Sequence, residues 1–285
     1  MMGNDIVFRK EKKTSFLFLL PSFVGLLTFY AVPAVFSLKY AMTDSTIDGS
    51  FVGLQNFQNL FASDPFRLAI KNTLLFMASS IPLAIIIPLF IGCLLNSVMK
   101  NRILGVIFMS PLVIPSACIA FLFQSFFASN GLVSHILGEN INWLQTDKAF
   151  MIAVSMYIWR NMGYNLVLIM AGLANIPNEY YELASVEGMG KTRQFFEITT
   201  TYLIPSLFIV LVMSFINSFK VFREIYMLCG NYPNENIYML QHYMNNQFAS
   251  LNYQNLTTAS IIITAVITIC VIIFFVIDKK SAFGE

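Results

Sequence analysis

The chain has 285 residues, of which 57% are hydrophobic and only 11% are charged. A soluble domain has about 45–50% apolar and about 25% charged residues, so this composition excludes an ordinary soluble protein and indicates an integral membrane protein. Four cysteines are too few for a disulfide-stapled secreted scaffold, and a net charge of +2 argues against a nucleic-acid binder.

Long apolar runs occur at six places, and each is long enough to cross a hydrocarbon core of about 30 Å as a helix. Helices are expected because a span in lipid must satisfy its backbone hydrogen bonds internally. The predicted spans are 15–39, 67–95, 103–125, 150–171, 202–223 and 256–277. The predicted fold class is therefore all-α, a polytopic membrane protein with six transmembrane helices. The predicted layout is a tail at 1–14, a six-helix domain at 15–280 and a tail at 281–285.

The basic residues predict the orientation, because loops that stay in the cytoplasm carry an excess of Lys and Arg. One set of segments holds most of the loop cations, namely Arg9, Lys10, Lys12, Lys13, Lys100, Arg102, Lys191, Arg193, Lys279 and Lys280. The opposite loops, 40–66, 126–149 and 224–255, contain only Lys148. Both termini are therefore predicted to be cytoplasmic. The first span is expected to remain in the protein, because no small-residue cleavage site follows it.

The cytoplasmic segment 176–200 predicts a helix, a glycine stop and a second short helix. Pro177 suits the first turn of a helix. Ala184 and Ser185 form a face of small side chains, and Gly188 can adopt the left-handed conformation that ends a helix. Such a segment is suited to docking into a groove of another protein. A surface loop without a partner is the alternative.

The same segment resembles the EAA loop of permease subunits of binding-protein-dependent ABC importers, whose pattern is E-A-A-x-x-x-G followed by F-x-x-I-T-x-P. The matching residues are Glu182, Ala184, Gly188, Phe195, Ile198 and Pro205. Other stretches are similar to the carbohydrate-uptake branch, which includes maltose, multiple-sugar and glycerol-phosphate permeases. They are LLPSFVGLLTFYAVPAVFSLKYAMTD (19–44), FVGLQNFQNLF (51–61), IKNTLLF (70–76), WRNMGYNLVLIMAGLANIP (159–177) and FKVFREIYMLCGNYP (219–233). Leu183, Glu187 and Thr201 depart from the pattern but leave the glutamate and the glycine in place.

The resemblance implies a type I ABC importer permease fold and one transmembrane subunit of an ATP-driven carbohydrate importer, with an oligosaccharide as the expected cargo. The implied location is a prokaryotic cytoplasmic (inner) membrane. The implied partners are a second homologous permease, two ATP-binding subunits, an extracytoplasmic sugar-binding protein, a carbohydrate substrate and membrane lipid. The residues implied in coupling to the ATPase are Glu182, Ala184, Ser185, Gly188 and Phe195.

No enzymatic activity is expected on this chain. Gly190-Lys191-Thr192 looks like the end of a phosphate-binding loop, but Ser185 stands where that motif requires its first glycine. ATP and Mg are therefore expected on the partner ATPase, with no cofactor bound by this chain. No residues have the arrangement of a catalytic site or the spacing of metal ligands.

Polar side chains inside the predicted spans indicate a substrate path, because ionisable and amide groups are costly in lipid. The candidates lie in the fourth and fifth spans: Trp159, Arg160, Asn161, Tyr164, Asn165, Asn217 and Lys220. In the relatives, side chains of these regions hold sugar through amides and aromatic faces, so Trp159 and Tyr164 are candidates for stacking on the sugar ring. The structural alternatives are a Lys220–Glu224 pair and a bundle-stabilising role for Arg160.

Two other functions remain open. Arg160, Lys220 and Arg223 near a cavity would suit an acidic sugar through charge-assisted hydrogen bonds. An ion-coupled secondary carrier is the alternative from another class. Against the carrier, no Asp or Glu is expected deep in a span, and no internal repeat is visible.

Overall fold

The computed structural model describes residues 16, 18–98, 108, 110–111 and 113–283. The described chain is built from helices and loops, with an isolated antiparallel bridge between Thr43 and Phe51. This confirms the all-α prediction. The helices are α1 Phe18–Ala41, α2 Gln55–Ala62, α3 Asp64–Val98, α4 Ser116–Phe127, α5 Leu132–Leu137, α6 Ala149–Ala174, α7 Asn178–Val186, α8 Lys191–Gln194, α9 Thr200–Lys220, α10 Phe222–Cys229, α11 Leu240–Ala249 and α12 Tyr253–Phe283. A π-helical segment, Phe195–Thr199, joins α8 to α9.

The chain packs as two compact units. The first contains the described residues up to Ser63 together with Gln247–Ile267, and the second contains Asp64–Asn246 and the described residues from Thr268 onward. In the first unit, the Asn56 side-chain amide donates hydrogen bonds to the carbonyl oxygens of Ala41 at 3.0 Å and Thr43 at 2.8 Å. These bonds fasten α2 to the chain that leaves α1.

Five of the described helical segments are long and apolar enough to cross a membrane. They are Phe18–Ala41, Asp64–Leu95, Ser116–Leu137, Lys191–Cys229 and Tyr253–Phe274. They correspond to the first, second, third, fifth and sixth predicted spans. The third segment extends to Leu137, beyond the predicted end at residue 125, and much of 103–115 lies outside the described residues.

The fourth predicted span corresponds to α6, which has 26 residues and is still long enough to cross the core. It is less apolar than the other five, because Arg160, Asn161 and Asn165 interrupt its hydrophobic sequence. Much of α6 is buried inside the second unit, where it packs against α3 and α9. Burial by other helices explains how these polar residues are accommodated within a span.

A single glycine allows α6 and α9 to approach each other closely. A Cβ atom at Gly172 would lie 2.7 Å from Cδ2 of Leu203 and would also collide with the Ser206 hydroxyl. Leu203 is fully buried in a cluster with Ile169. Close-packed interiors give way little, so even a methyl group at this position requires the side chains of Leu203 and Ser206 to shift.

We therefore expect Gly172→Ala to lower the free energy of unfolding by about 1–3 kcal/mol, as overpacking does in other cores. The measurement is a denaturing-detergent titration of the purified chain. Gly25→Ala in α1 is the matched control, because a Cβ there meets nothing within 4 Å. Equal stability of the two variants would contradict the close approach of α6 and α9.

Candidate functional site

A polar cavity of about 320 Å³ lies where α6 meets α9 and α10. Its volume is at the lower end of the range of small-molecule sites. Two faces line it, one from the middle of α6 and one from the end of α9 and the start of α10. The lining residues are Met156, Tyr157, Arg160, Asn161, Asn217, Lys220, Val221, Arg223 and Glu224.

A buried ion pair closes one side of the cavity. The Arg160 guanidinium pairs with the Glu224 carboxylate, whose side chain is only 3% exposed. The Ser116 hydroxyl donates to Glu224 Oε1 at 2.6 Å and accepts from Arg160 Nη1 at 3.0 Å. Three helices, α4, α6 and α10, are joined by these contacts. A charge this deep is tolerated because it is both paired and hydrogen-bonded.

The ion pair decides between the two structural alternatives considered for these residues. Glu224 pairs with Arg160 rather than with Lys220, so the bundle-stabilising role considered for Arg160 is the one that the structure supports. Glu224 is buried and lies next to the predicted end of the fifth span at residue 223. Its carboxylate is bound to Arg160 and Ser116 and is therefore not a free proton acceptor.

A chain of hydrogen bonds runs along the other side of the cavity and joins α6 to α9. Asn217 Nδ2 donates to Asn161 Oδ1 at 2.9 Å, and Asn161 Nδ2 donates to the carbonyl oxygen of Tyr157 at 2.8 Å. The Tyr157 hydroxyl donates to the carbonyl oxygen of Ser214 at 2.6 Å. Both polar groups of the Asn161 side chain are thus occupied within the protein.

The structure brings four of the predicted path residues to the cavity and places three elsewhere. Arg160, Asn161, Asn217 and Lys220 line it, whereas Trp159, Tyr164 and Asn165 do not. Trp159 packs on Phe123 with ring centroids 6.1 Å apart, and buried Asn165 donates to the carbonyl oxygen of Ala84 at 2.8 Å. These contacts give Trp159 and Asn165 structural roles in this chain.

The substrate path predicted from the sequence omits some of the residues that line the cavity. Met156 and Val221 have no polar signal that would distinguish them from other span residues. Val221 follows Asn217 by four residues, so helical periodicity predicts that it lies on the same face as Asn217, Lys220 and Glu224. The structure places all four at the cavity.

The predicted docking segment forms a helix with a well-defined end. α7 begins after Pro177, and Gly188 follows it with φ of +78°. The Met189 amide donates to the carbonyl oxygen of Ala184 at 2.8 Å, and the Gly188 amide donates to that of Ser185 at 3.1 Å. This is the Schellman pattern, which satisfies the last carbonyl groups of a helix, and it confirms the predicted glycine stop.

One face of α7 is fastened to the rest of the second unit. The Tyr181 hydroxyl is 2.8 Å from the Thr199 hydroxyl, and the Tyr181 ring packs against the cluster that contains Leu203. Gln194 Nε2 donates to the Ser185 hydroxyl at 3.0 Å and to the carbonyl oxygen of Met189 at 2.9 Å. The short segment before α9 therefore holds α7 at both ends.

The opposite face of α7 is open. Glu182 is exposed, and the apolar side chains of Leu183 and Val186 are 63% and 87% exposed. Ala184 is only 5% exposed, so it faces the protein and does not contribute to the expected face of small residues. Phe195 is half-buried and begins the π-helical segment. The exposed residues of α7 therefore include two acids, Glu179 and Glu182, beside these two apolar side chains.

The loop between α10 and α11 is tied to the start of α3. Asn72 Nδ2 donates to the carbonyl oxygens of Glu235 at 2.5 Å and Tyr238 at 3.0 Å. Buried His242 accepts a hydrogen bond from the Met239 amide, and burial lowers the pKa of its imidazole to about 4. His242 is therefore neutral at pH 7 and packs against Phe222 as an aromatic side chain.

Comparison with known proteins identifies the family of this chain. Residues 49–280 match the family model described as "Binding-protein-dependent transport system inner membrane component". The chain is 31% identical to the arabinooligosaccharides transport system permease protein AraP of Bacillus subtilis, over 81% of this chain and 77% of that protein. It is 27% identical to the probable ABC transporter permease protein YesP of Bacillus subtilis, over 96% of this chain and 92% of that one.

Among solved structures, the chain matches one from a bacterial ABC transporter involved in the import of the acidic polysaccharide alginate. The TM-score is 0.80 at 22% identity, over 97% of this chain and 98% of that chain. At this identity the likeness shows a shared fold. Taken with the family match over most of the chain, it leads to one conclusion: this chain belongs to the inner membrane components of binding-protein-dependent ABC transport systems.

Proposed function

We propose that this chain is one of two permease subunits of an ATP-driven carbohydrate importer. A second, homologous permease completes the translocation path, two ATPase subunits that hold ATP and Mg bind on the cytoplasmic side, and an extracytoplasmic binding protein delivers the sugar. Both termini are then cytoplasmic, in a prokaryotic cytoplasmic membrane. Carbohydrate as the cargo is supported by the arabinooligosaccharide relative and by the amide and charged groups of the cavity.

The observation that carries this proposal is that one nearly continuous helical segment connects the docking face to the cavity. Residues Lys191–Cys229 run through α8, α9 and α10. Gln194 near one end holds the turn after α7, and Asn217 about 35 Å farther along lines the cavity. A rigid helix transmits displacement along its length, so a push on α7 moves the cavity wall.

The proposed mechanism is alternating access driven by the ATPase subunits on the cytoplasmic side. An ATPase groove takes the exposed face of α7, through Glu182, Leu183 and Val186. When the ATPase subunits close, α7 moves with them, and its bonds to Thr199 and Gln194 carry the motion into α9. The α9 and α10 side of the cavity then shifts against α6, which is a rigid-body change of the kind seen in other transport proteins.

Glu182→Ala tests the docking role, and we expect ATP hydrolysis coupled to transport to fall at least about tenfold. The physical reason is the loss of a carboxylate at the contact with the ATPase. Within the described residues Glu182 forms no ion pair or hydrogen bond, so its removal leaves the fold of this chain intact. The measurement is affinity purification of the tagged chain in mild detergent, with copurified subunits identified and ATP hydrolysis assayed.

The matched control is Glu139→Ala, which removes another exposed acid from a loop predicted to lie on the outer side. It is expected to leave copurification and hydrolysis unchanged. If the chain came out alone, with no ATPase at any detergent concentration, α7 would not be a docking element and the proposed function would fail.

A second test uses the turn at Gly188. A side chain there meets nothing within 4 Å, so substitution acts only through the left-handed backbone. Valine is strained in this conformation by about 1–2 kcal/mol, whereas asparagine tolerates it. We expect Gly188→Val to uncouple hydrolysis from sugar uptake and Gly188→Asn to retain most of the coupling, both measured in proteoliposomes. Equal coupling in the two variants would show that the shape of the turn is unimportant.

A further inference from the structure

The charges that line the cavity do not balance. Three of the lining residues are cationic, Arg160, Lys220 and Arg223, and one is acidic, Glu224. The negative charge of Glu224 is neutralised by its ion pair with Arg160. Lys220 and Arg223 are exposed, and neither has an ion pair within the part of the chain that the structure describes. The cavity therefore keeps two cations whose charge no carboxylate of the described chain neutralises.

The hydrogen-bonding groups show the same imbalance. Asn161 uses both its amide donor and its amide acceptor within the protein, and the Tyr157 hydroxyl donates to a backbone carbonyl. Lys220 and Arg223 make no hydrogen bond with any described residue, and both carry only donors. Among the side chains that line the cavity, the oxygen atoms with no hydrogen bond to a described residue are the Asn217 amide oxygen and the second oxygen of Glu224. Donors thus outnumber acceptors at the surface that a ligand meets.

A ligand that fits this surface supplies acceptors and negative charge. A neutral sugar offers hydroxyls, each of which needs an acceptor for its own proton as well as a donor. A carboxylate or phosphate only accepts, and its hydrogen bonds to Lys and Arg are shorter and about twice as strong as neutral ones. An anion also relieves the mutual repulsion of the cations at the cavity.

We propose that the cavity selects an anionic carbohydrate, one that carries a carboxylate or phosphate group bound by Lys220 and Arg223. This rests on the proposed function, because it names the class of cargo for the same importer. Asn217 then contacts a ring hydroxyl. Because the Glu224 carboxylate is paired with Arg160, it does not repel the anionic group of the sugar.

The test is direct binding of sugars to the purified permease–ATPase complex by isothermal titration calorimetry. The probes are trisaccharides of galacturonate, glucuronate and mannuronate, each beside the neutral trisaccharide in which CH₂OH replaces the carboxylate. Glucose 6-phosphate is compared with glucose. We expect one anionic probe to bind at least about tenfold more tightly than its neutral counterpart. Preference for a uronate or for the phosphate identifies which anionic group the cations bind.

Variants separate charge recognition from general damage. Lys220→Gln and Arg223→Gln are each expected to weaken binding of the anionic probe about tenfold more than binding of its neutral counterpart. Lys71→Gln, which removes an exposed lysine of α3 outside the cavity, is the control and should change neither.

Two results would overturn this proposal. One is binding of a neutral trisaccharide as tightly as its acidic counterpart. The other is binding of no probe by a complex that still hydrolyses ATP. Failure of the proposed function has a different signature, because then neither a second permease nor an ATPase copurifies with this chain.

Discussion

The interaction on which the rest of the site depends is the ion pair between Arg160 and Glu224. Taking two charges out of water is expensive, and the cost is offset here because the two charges pair with each other and Ser116 hydrogen-bonds to both of them. The geometry of α4, α6 and α10 is constrained by that requirement, since a shift of any one of them would leave a charge buried without its partner. Glu224 is the acidic residue among those that line the cavity, and its charge is neutralised by Arg160. The cavity therefore remains cationic through Lys220 and Arg223.

Two ends of the second unit are connected by one helical segment. The basic residues predict that one end of this segment is cytoplasmic, and there Tyr181 and Gln194 hold α7 against the start of the segment. At the other end, Asn217 and Glu224 bind partners on α6. Polar contacts therefore lie at both ends of α9, and close apolar packing at Gly172 and Leu203 lies between them. This arrangement suits a lever that moves as a rigid body.

Much of the fold was predictable, because hydropathy reports span length directly and the glycine of a helix stop has a local signature. Gly188 took the left-handed conformation that its position after α7 predicted. The partner of Glu224 was not predictable, because Arg160 is far away in sequence and only the packing of α6 against α10 brings the two together. The burial of Ala184 and the packing of Trp159 on Phe123 depend on how each helix is rotated, and short-range periodicity does not determine that rotation.

The most direct test of the Arg160–Glu224 interaction is a double-mutant cycle. Its readout is the free energy of unfolding of the purified chain. Arg160→Met should destabilise the chain by about 3–5 kcal/mol, because it leaves the Glu224 carboxylate buried without its partner, and Glu224→Met should destabilise it less, because the Arg160 side chain is 26% exposed. The double variant should recover most of that loss, since it buries no charge. A double variant as unstable as the sum of the two single variants would show that the two residues do not act as a pair and would contradict the account.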